Sequence, residues 1–435
     1  MRAAGVLVLL LLLAAADAVL PDGAAGPWPN MSGVVVTDTM TLLDEQGAGQ
    51  TRALRPRLLP RHFIGTAAVI RGNGYDVEQH TVTTPDCYNL TLFRIPNKNG
   101  THGTMVFFMH GILDSSAGWL VLGRGVALPF VLSDLGYDVY LGNARGNTAS
   151  RFPSCRHDPD RDVEWWDFSF HEIGIYDVPS LINYALKNSN KSDTHYVGHS
   201  QGTTTFFVMA SLVDGMMSKI RTANLLAPVV YLKCTLSLLM WVASIPSTLL
   251  WLAVKALGVP QLVNILPYGP IYPLLGDTLC APSSPTQDVC YLILFPAAGF
   301  NWDQNRTVFP DFWANSPAGC SLKQMSHFGQ SVHKRCQEFR QYDYGPAGNL
   351  ARYQSVVPPS YNVSRATCNL TLVYSLNDYL GTKPNAQKLH CEIPTSKLVE
   401  VADPNFNHLD FMFGKHAKTL VFDGVVARIR SYDGL

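Results

Sequence analysis

The run His195-Tyr-Val-Gly-His-Ser-Gln-Gly202 places Ser200 at the centre of a G-x-S-x-G pentapeptide built on Gly198, Ser200 and Gly202. Asp193 to Gly198 reads as a short strand, and Thr203 to Leu212 can begin a helix whose bulky residues face a core. Together they describe a tight strand-to-helix turn. Such a turn forces its central residue into strained backbone and lifts the hydroxyl clear of it. The glycines avoid side-chain collisions, and the following helix points its positive end at the site. The pentapeptide alone is a weak signal, since with Gly and Ser at about 7% each a chain of this length supplies roughly 0.15 matches by chance. An ordinary βα loop would look the same, so the flanking pattern carries the reading.

At the N-terminus, Met1-Arg2 leads into an apolar run from Val6 to Ala16 and a small-x-small site, Ala16-Asp-Ala18. This is the form of a secretory signal peptide over residues 1–18, too short to span a bilayer, with the mature chain beginning near Val19. A secreted, extracellular or lysosomal protein is expected. The N-x-[ST] sequons at Asn30, Asn89, Asn99, Asn190, Asn305, Asn362 and Asn369 agree with that compartment. Asn89 and Asn369 fall inside strand patterns, which argues against their use.

The 33 basic and 33 acidic residues cancel, so no electrostatic footprint for nucleic acid is present. Apolar residues make up 47% of the chain, enough for a large core and some apolar surface with a purpose. The nine cysteines are an odd number, so at least one is outside any intrachain pair. Cys280 with Cys290, Cys320 with Cys336 and Cys368 with Cys391 are the pairings that spacing suggests. Metal-ligand spacings such as C-x-x-C and H-E-x-x-H are absent, and neither a metal nor a cofactor is expected.

Residues 19–62 are rich in Pro, Gly, Ala and Arg and read as a poorly ordered leader. From residue 63 to 430 strand and helix signals alternate. Tyr75 to Val82 and Tyr88 to Ile95 look like paired antiparallel strands, and Gly103 to Met109 is a continuous apolar strand. Leu128 to Leu135, Asp138 to Leu141 and Val178 to Lys187 continue the alternation, which predicts an α/β fold with a mostly parallel central sheet. Alternation stops over 231–365, where Pro, Trp and Cys become frequent; this is read as an inserted, largely helical cap or lid. It opens with 21 uncharged residues between Lys233 and Lys255, long enough for a membrane span. Pro246 interrupts the stretch, and a span would put Ser200 and the C-terminal third on opposite sides of a membrane. No integral span is therefore expected. The stretch is either a buried core helix or a lipid-contacting lid surface, with Leu239 and Trp241 among its contacts.

A serine nucleophile needs an acid and a histidine, and on α/β-hydrolase scaffolds they follow it in that order on loops after later strands. The strand Cys368 to Ser375 runs into Leu376-Asn-Asp-Tyr-Leu-Gly, which puts Asp378 at its C-terminal end. The next strand, Lys397 to Ala402, leads to Asp403-Pro-Asn-Phe-Asn-His408. Each alone could be a loop Asp or a surface His; both at strand ends in the required order make Asp378 and His408 the candidates. An oxyanion hole needs the amide after the nucleophile, Gln201, and one from an earlier loop. His110-Gly-Ile-Leu-Asp-Ser-Ser, at the end of the 103–109 strand, offers Ile112.

Five stretches in register resemble the acid lipases, the gastric and lysosomal lipase family. They are His110-Gly-Ile-Leu-Asp-Ser-Ser-Ala-Gly-Trp, Tyr137 to Thr148, Trp166 to Pro179, Tyr196-Val-Gly-His-Ser-Gln-Gly-Thr-Thr and Asn407-His-Leu-Asp-Phe. The resemblance covers roughly residues 63 to 430. It implies an α/β-hydrolase fold with a cap over the site, Ser200 as nucleophile, Asp378 as acid, His408 as base, and the Ile112 and Gln201 amides as oxyanion hole. It also implies a Cys280–Cys290 disulfide. The expected activity is ester hydrolysis of neutral lipid, triacylglycerol or sterol ester, at a lipid–water interface. The alternatives are a soluble esterase for small esters, using the same chemistry under a different cap, and a non-catalytic lipid-binding or storage protein. The intact Ser200, Asp378 and His408 argue against the latter.

Overall fold

The computed structural model describes residues 65–97, 104–244, 247–301, 304–332 and 338–435. The expected signal peptide at 1–18, the leader at 19–62, the sequons at Asn30 and Asn99, Pro246 and Cys336 lie outside them.

An eight-stranded sheet forms the centre. In chain order its strands are β1 (Glu78–Thr83), β2 (Asn89–Ile95), β3 (Met105–Met109), β4 (Asp138–Gly142), β5 (Thr194–His199), β6 (Ile220–Leu226), β9 (Asn369–Tyr374) and β10 (Lys397–Glu400). A separate two-stranded ladder pairs β7 (Asn264–Ile265) with β8 (Cys320–Ser321). The spatial order of the large sheet is β1-β2-β4-β3-β5-β6-β9-β10. β1 and β2 are antiparallel, and β2 joins β4 antiparallel; every pairing from β4 through β10 is parallel.

Sequence texture follows position. β3, β4 and β5 are buried at every residue, as strands covered by helices on both faces must be, and β3, Met-Val-Phe-Phe-Met, is a continuous apolar run. β1, at the sheet edge, alternates between less and more exposed positions instead. The strand β6 was not singled out from the sequence. Its place between β5 and β9 is what brings the Asp378 loop beside Ser200.

Between β6 and β9 the chain leaves the sheet. The uncharged stretch there forms two helices, α2 (Leu238–Ala243) and α3 (Ser247–Leu257), which pack on α4 (Leu322–Val332); the helix after β5, Gln201–Leu212, is α1. Among the described residues no helix is long and apolar enough to cross a membrane. Gly329 lets α2 approach α4, since a Cβ there would lie 2.0 Å from the Ala243 carbonyl oxygen.

Among the described residues two disulfides are formed, Cys280–Cys290 and Cys87–Cys155, the latter closing a separation of 68 residues that spacing rules gave no reason to choose. The suggested Cys368–Cys391 pairing is not made. Cys368 sits partly buried before β9, while Cys391 is exposed on the helix Lys383–Glu392, and both remain thiols. Cys320 is a buried thiol.

Candidate active site

Ser200 follows β5 with φ 52° and ψ −118°, a positive-φ conformation that a residue with a side chain adopts only under constraint. The constraint is visible in its glycines. A Cβ on Gly202 would lie 2.3 Å from the Met109 carbonyl oxygen, so α1 can start flush against β3 only without one. A Cβ on Gly198 would lie 2.9 Å from the Gly202 oxygen. Two hydrogen bonds fix the turn: the Ser200 amide donates to the Leu226 carbonyl at 3.1 Å and the Tyr196 hydroxyl to the Gly202 carbonyl at 2.7 Å.

Asp378 and His408 meet the serine from two separate loops. The His408 Nδ1–H donates to Asp378 Oδ2 at 2.8 Å, and the Ser200 hydroxyl lies 2.8 Å from His408 Nε2, in position to donate to it. All three side chains are buried. The second carboxylate oxygen of Asp378 accepts the Leu380 and Gly381 amides, each at 2.8 Å, so the turn itself aims the carboxylate.

His408 is held by its backbone. Its carbonyl accepts the His199 Nε2–H at 3.0 Å, and the two imidazoles lie with ring centroids 4.9 Å apart. Burial first, then the neighbouring His408, keep the His199 imidazole well below the ordinary histidine range, so it acts here as a neutral donor. The Ala298 carbonyl accepts both the His408 amide at 3.1 Å and the Tyr379 amide at 3.3 Å. One carbonyl at the end of a helix in the excursion thus pins the Asp378 loop and the His408 loop together. The next residue, Gly299, adopts φ 113°, where a Cβ would lie 1.9 Å from the Asn377 oxygen. Asn407 completes the support: its Oδ1 caps the Leu409 and Asp410 amides, and its Nδ2 donates to the Gly299 carbonyl at 2.8 Å.

The loop after β3 lies against the serine. A Cβ on Gly111 would stand 3.1 Å from Ser200 Cβ, which puts the Gly111-Ile112 peptide next to the hydroxyl. Gln201 opens α1, where the first amides of a helix have no intrahelical acceptor. His110 braces this loop from below. Its Nε2 accepts the Ala144 amide at 3.1 Å and the Asn147 side chain at 3.0 Å, which leaves Nδ1–H to donate to the Gly111 carbonyl at 2.7 Å. Burial pushes the His110 imidazole down to about 4, so this tautomer persists across the mildly acid range.

The segment carrying Asn143 and Asn147 is anchored by a buried cation. Arg145 donates from its amide at 2.9 Å and from Nε at 2.8 Å to Asp177, reaches Asp86 with the rest of its guanidinium, and lies 3.8 Å over the Tyr88 ring. Desolvation pushes Asp114, in the loop after β3, up to about 6 against the Ser115 amide and Ser316 hydroxyl, and pushes Asp410 up to about 6 against the Asn407 amide.

The two residues expected on a lid surface separate. Trp241, on α2, is 46% exposed, and Leu250 and Leu252, on α3, are 52% and 49% exposed. Leu239 is partly buried and packs on the core, and Trp251 is only 2% exposed. The stretch is therefore not apolar toward solvent all round; each helix has an inward and an outward face. Of the sequons, Asn190, Asn362 and Asn369 are exposed and Asn305 is partly so. Asn89 is occupied on both side-chain atoms, accepting from Thr83 and donating to the Pro153 carbonyl.

Sequence reasoning did not find His199, Ala298, Asn407, Asp114, Ser316 or Gln324. His199, Asp114 and Asn407 stand in plain view inside the quoted motifs; Ala298 acts through its backbone, and Ser316 and Gln324 come from a segment distant in sequence.

Residues 66–123 match the family described as a partial alpha/beta-hydrolase lipase region, and residues 104–250 match the alpha/beta hydrolase fold. The chain is 34% identical over 377 residues to Lipase 3 of Drosophila melanogaster, covering 84% of this chain and 92% of that one. It is 34% identical over 376 residues to gastric triacylglycerol lipase of Bos taurus, covering 85% and 91%. Over 409 residues it is 30% identical to lysosomal acid lipase/cholesteryl ester hydrolase of Macaca fascicularis, covering 92% and 98%. The chain belongs to the acid lipase family and is a lipase of the alpha/beta-hydrolase fold.

Proposed function

We propose that this lipase hydrolyses carboxylic esters of neutral lipids, triacylglycerol or sterol ester, through an acyl-enzyme on Ser200. The observation that carries the reading is the unbroken hydrogen-bonded line Asp378–His408–Ser200, 2.8 Å at each link. The names of the bovine and macaque relatives supply the two ester classes.

Ser200 Oγ attacks the ester carbonyl carbon while His408 Nε2 takes its proton, and the carbonyl oxygen becomes an oxyanion received by the Ile112 and Gln201 amides. Asp378 holds the imidazole in the tautomer that can accept at Nε2 and stabilises the imidazolium. Collapse breaks the bond to the alcohol oxygen, which leaves with the proton from His408. Water then attacks the acyl-enzyme with His408 again as base. The fatty acid departs, and Ser200 recovers its proton.

Residues 231–365 act as the cap in this reading, and the outward face of α2 and α3, with Trp241, Leu250 and Leu252, meets the lipid–water interface. The two disulfides suit an oxidising, secretory or lysosomal destination. Asn190 and Asn362 are the sequons best placed for glycosylation, since Asn369, though exposed, lies in β9 with its Nδ2 donating to the Arg221 carbonyl at 3.3 Å.

A fluorophosphonate probe tests the nucleophile, because only an activated serine beside an oxyanion hole reacts quickly. Wild-type protein should label and Ser200→Ala should not; unlabelled, well-folded wild type would overturn the acyl-enzyme. A panel of short-chain esters, triacylglycerols and cholesteryl esters then assigns the substrate, and turnover confined to the short esters would leave a soluble esterase.

A further inference from the structure

Both halves of the proposed oxyanion hole are gripped by one short piece of the excursion, residues 316–324. On the side of Ile112, the Ala318 amide donates to the Leu113 carbonyl at 2.7 Å, and the Ser316 hydroxyl donates to Asp114 Oδ1 at 3.0 Å. That same oxygen accepts the Ser115 amide at 2.8 Å. On the side of Gln201, the Gln324 side-chain amide donates to Gln201 Oε1 at 2.5 Å. Ser316, Gln324 and Gln201 are all buried.

The grip falls on a strained element. Leu113 adopts φ 61°, a conformation that costs a bulky residue about 1 to 2 kcal/mol and reverses the direction of the chain just after the Ile112 amide. Its carbonyl is the one that Ala318 takes. Ala318 is itself fixed to the sheet side, where its carbonyl accepts the Thr148 amide at 2.8 Å. The far end of the segment is tied down as well, by Lys323 Nζ on Asp167 at 2.6 Å. Room for the Asp114 carboxylate comes from Gly118, where a Cβ would lie 2.3 Å from it.

We infer that Ser316, Asp114 and Gln324 are positioning residues for the oxyanion hole: the 316–324 segment clasps the Ile112 loop and the Gln201 side chain, and so sets the separation and aim of the two amides. The excursion then has two jobs on different parts of its length. Residues 316–324 complete the catalytic centre permanently, while α2 and α3 face the lipid. The inference rests on the assignment of Ile112 and Gln201 proposed above.

A displaced oxyanion donor is felt only when the tetrahedral oxygen forms, so the loss belongs in kcat and not in KM. Ser316→Ala, Asp114→Ala and Gln324→Leu should each lower kcat on a soluble butyrate ester about tenfold or more with KM held within twofold. Affinity for phenylboronic acid, whose serine adduct is tetrahedral, should weaken by a similar factor. Ser316→Thr and Asp114→Asn keep the hydroxyl donor and the accepting oxygen, and should recover kcat to within about threefold of wild type. If an alanine variant melts without cooperativity, the Thr and Asn variants compared with Gln324→Leu still decide. The clasp is overturned if kcat stays within twofold of wild type in Ser316→Ala and Gln324→Leu, or if kcat falls while boronate affinity does not. Wild-type protein inactive on every ester, or active with Ser200→Ala, would instead overturn the acyl-enzyme reading on which the clasp depends.

Discussion

His408 Nε2 lies 2.8 Å from Ser200 Oγ across a separation of 208 residues. The link closes only because β6 and β9 lie side by side with β5, so that the loops after β9 and β10 overhang the turn after β5. Neither loop stands alone. The Ala298 carbonyl, from the segment between β6 and β9, accepts an amide from each, so the excursion also sets the distance from Asp378 to His408.

Asp378→Asn should lower kcat on a soluble ester by about 10³ to 10⁴ without unfolding the chain. The Leu380 and Gly381 amides hold one oxygen, so the new NH2 group is turned toward His408 Nδ1, which must then give up its proton and present the wrong tautomer to Ser200. Turnover within tenfold of wild type, with unchanged circular dichroism, would mean that another carboxylate orients His408.

Gly202→Ala should destabilise the protein by about 3 kcal/mol or more, because the new Cβ would sit 2.3 Å from a carbonyl in the central strand β3. Gly72→Ala, with nothing within 4 Å, is the matched control and should change stability by about 1 kcal/mol or less. Urea unfolding of the two variants checks the contrast, and a tolerated Gly202→Ala would show that α1 can shift away from β3.

Replacing Trp241, Leu250 and Leu252 together by Ser should reduce turnover of emulsified triacylglycerol at least tenfold and leave turnover of a soluble butyrate ester within about twofold. These side chains are 46%, 52% and 49% exposed, and each apolar group passing from water to lipid is worth about 1.5 to 3 kcal/mol. Leu239 packs inward, so Leu239→Ser should lower stability and both activities together. Equal loss on both substrates in the triple variant would assign α2 and α3 to structure alone.

Asp410 gives a pH dependence of stability with a definite sign. Its carboxyl is pushed up to about 6 in the folded chain, chiefly by desolvation, against an ordinary value of 3.8. The folded state therefore holds a proton that the unfolded state has lost between pH 4 and pH 6, and stability falls as pH rises through that window. Below the lower value the penalty is absent; above about 6 it is complete, at up to about 3 kcal/mol. Asp410→Asn should remove this contribution, so its urea midpoint should fall less than that of wild type between pH 4 and pH 7. Parallel profiles would show that Asp410 is ionised throughout.

What the sequence determined by itself is local. The Gly198-x-Ser200-x-Gly202 spacing dictates the turn because only glycine fits where backbone meets backbone, and the turn imposes its own strain on Ser200. The all-apolar run of β3 announces a strand buried on both faces, and the order of Asp378 and His408 at later strand ends follows from how parallel strands deliver their loops to one edge. The tertiary structure decided the rest. Cys87 found Cys155 across 68 residues because folding, not spacing, sets which Cα atoms come within bridging distance. Trp251 is buried and Trp241 exposed, although one apolar stretch contains both, because packing against α4 selects the inward face of each helix. The supports of the site, Ala298 under the Asp378 and His408 loops and Ser316 with Gln324 on Asp114 and Gln201, carry no sequence signature. A backbone carbonyl belongs to every residue, and its acceptor role comes only from the amides that the fold brings to it.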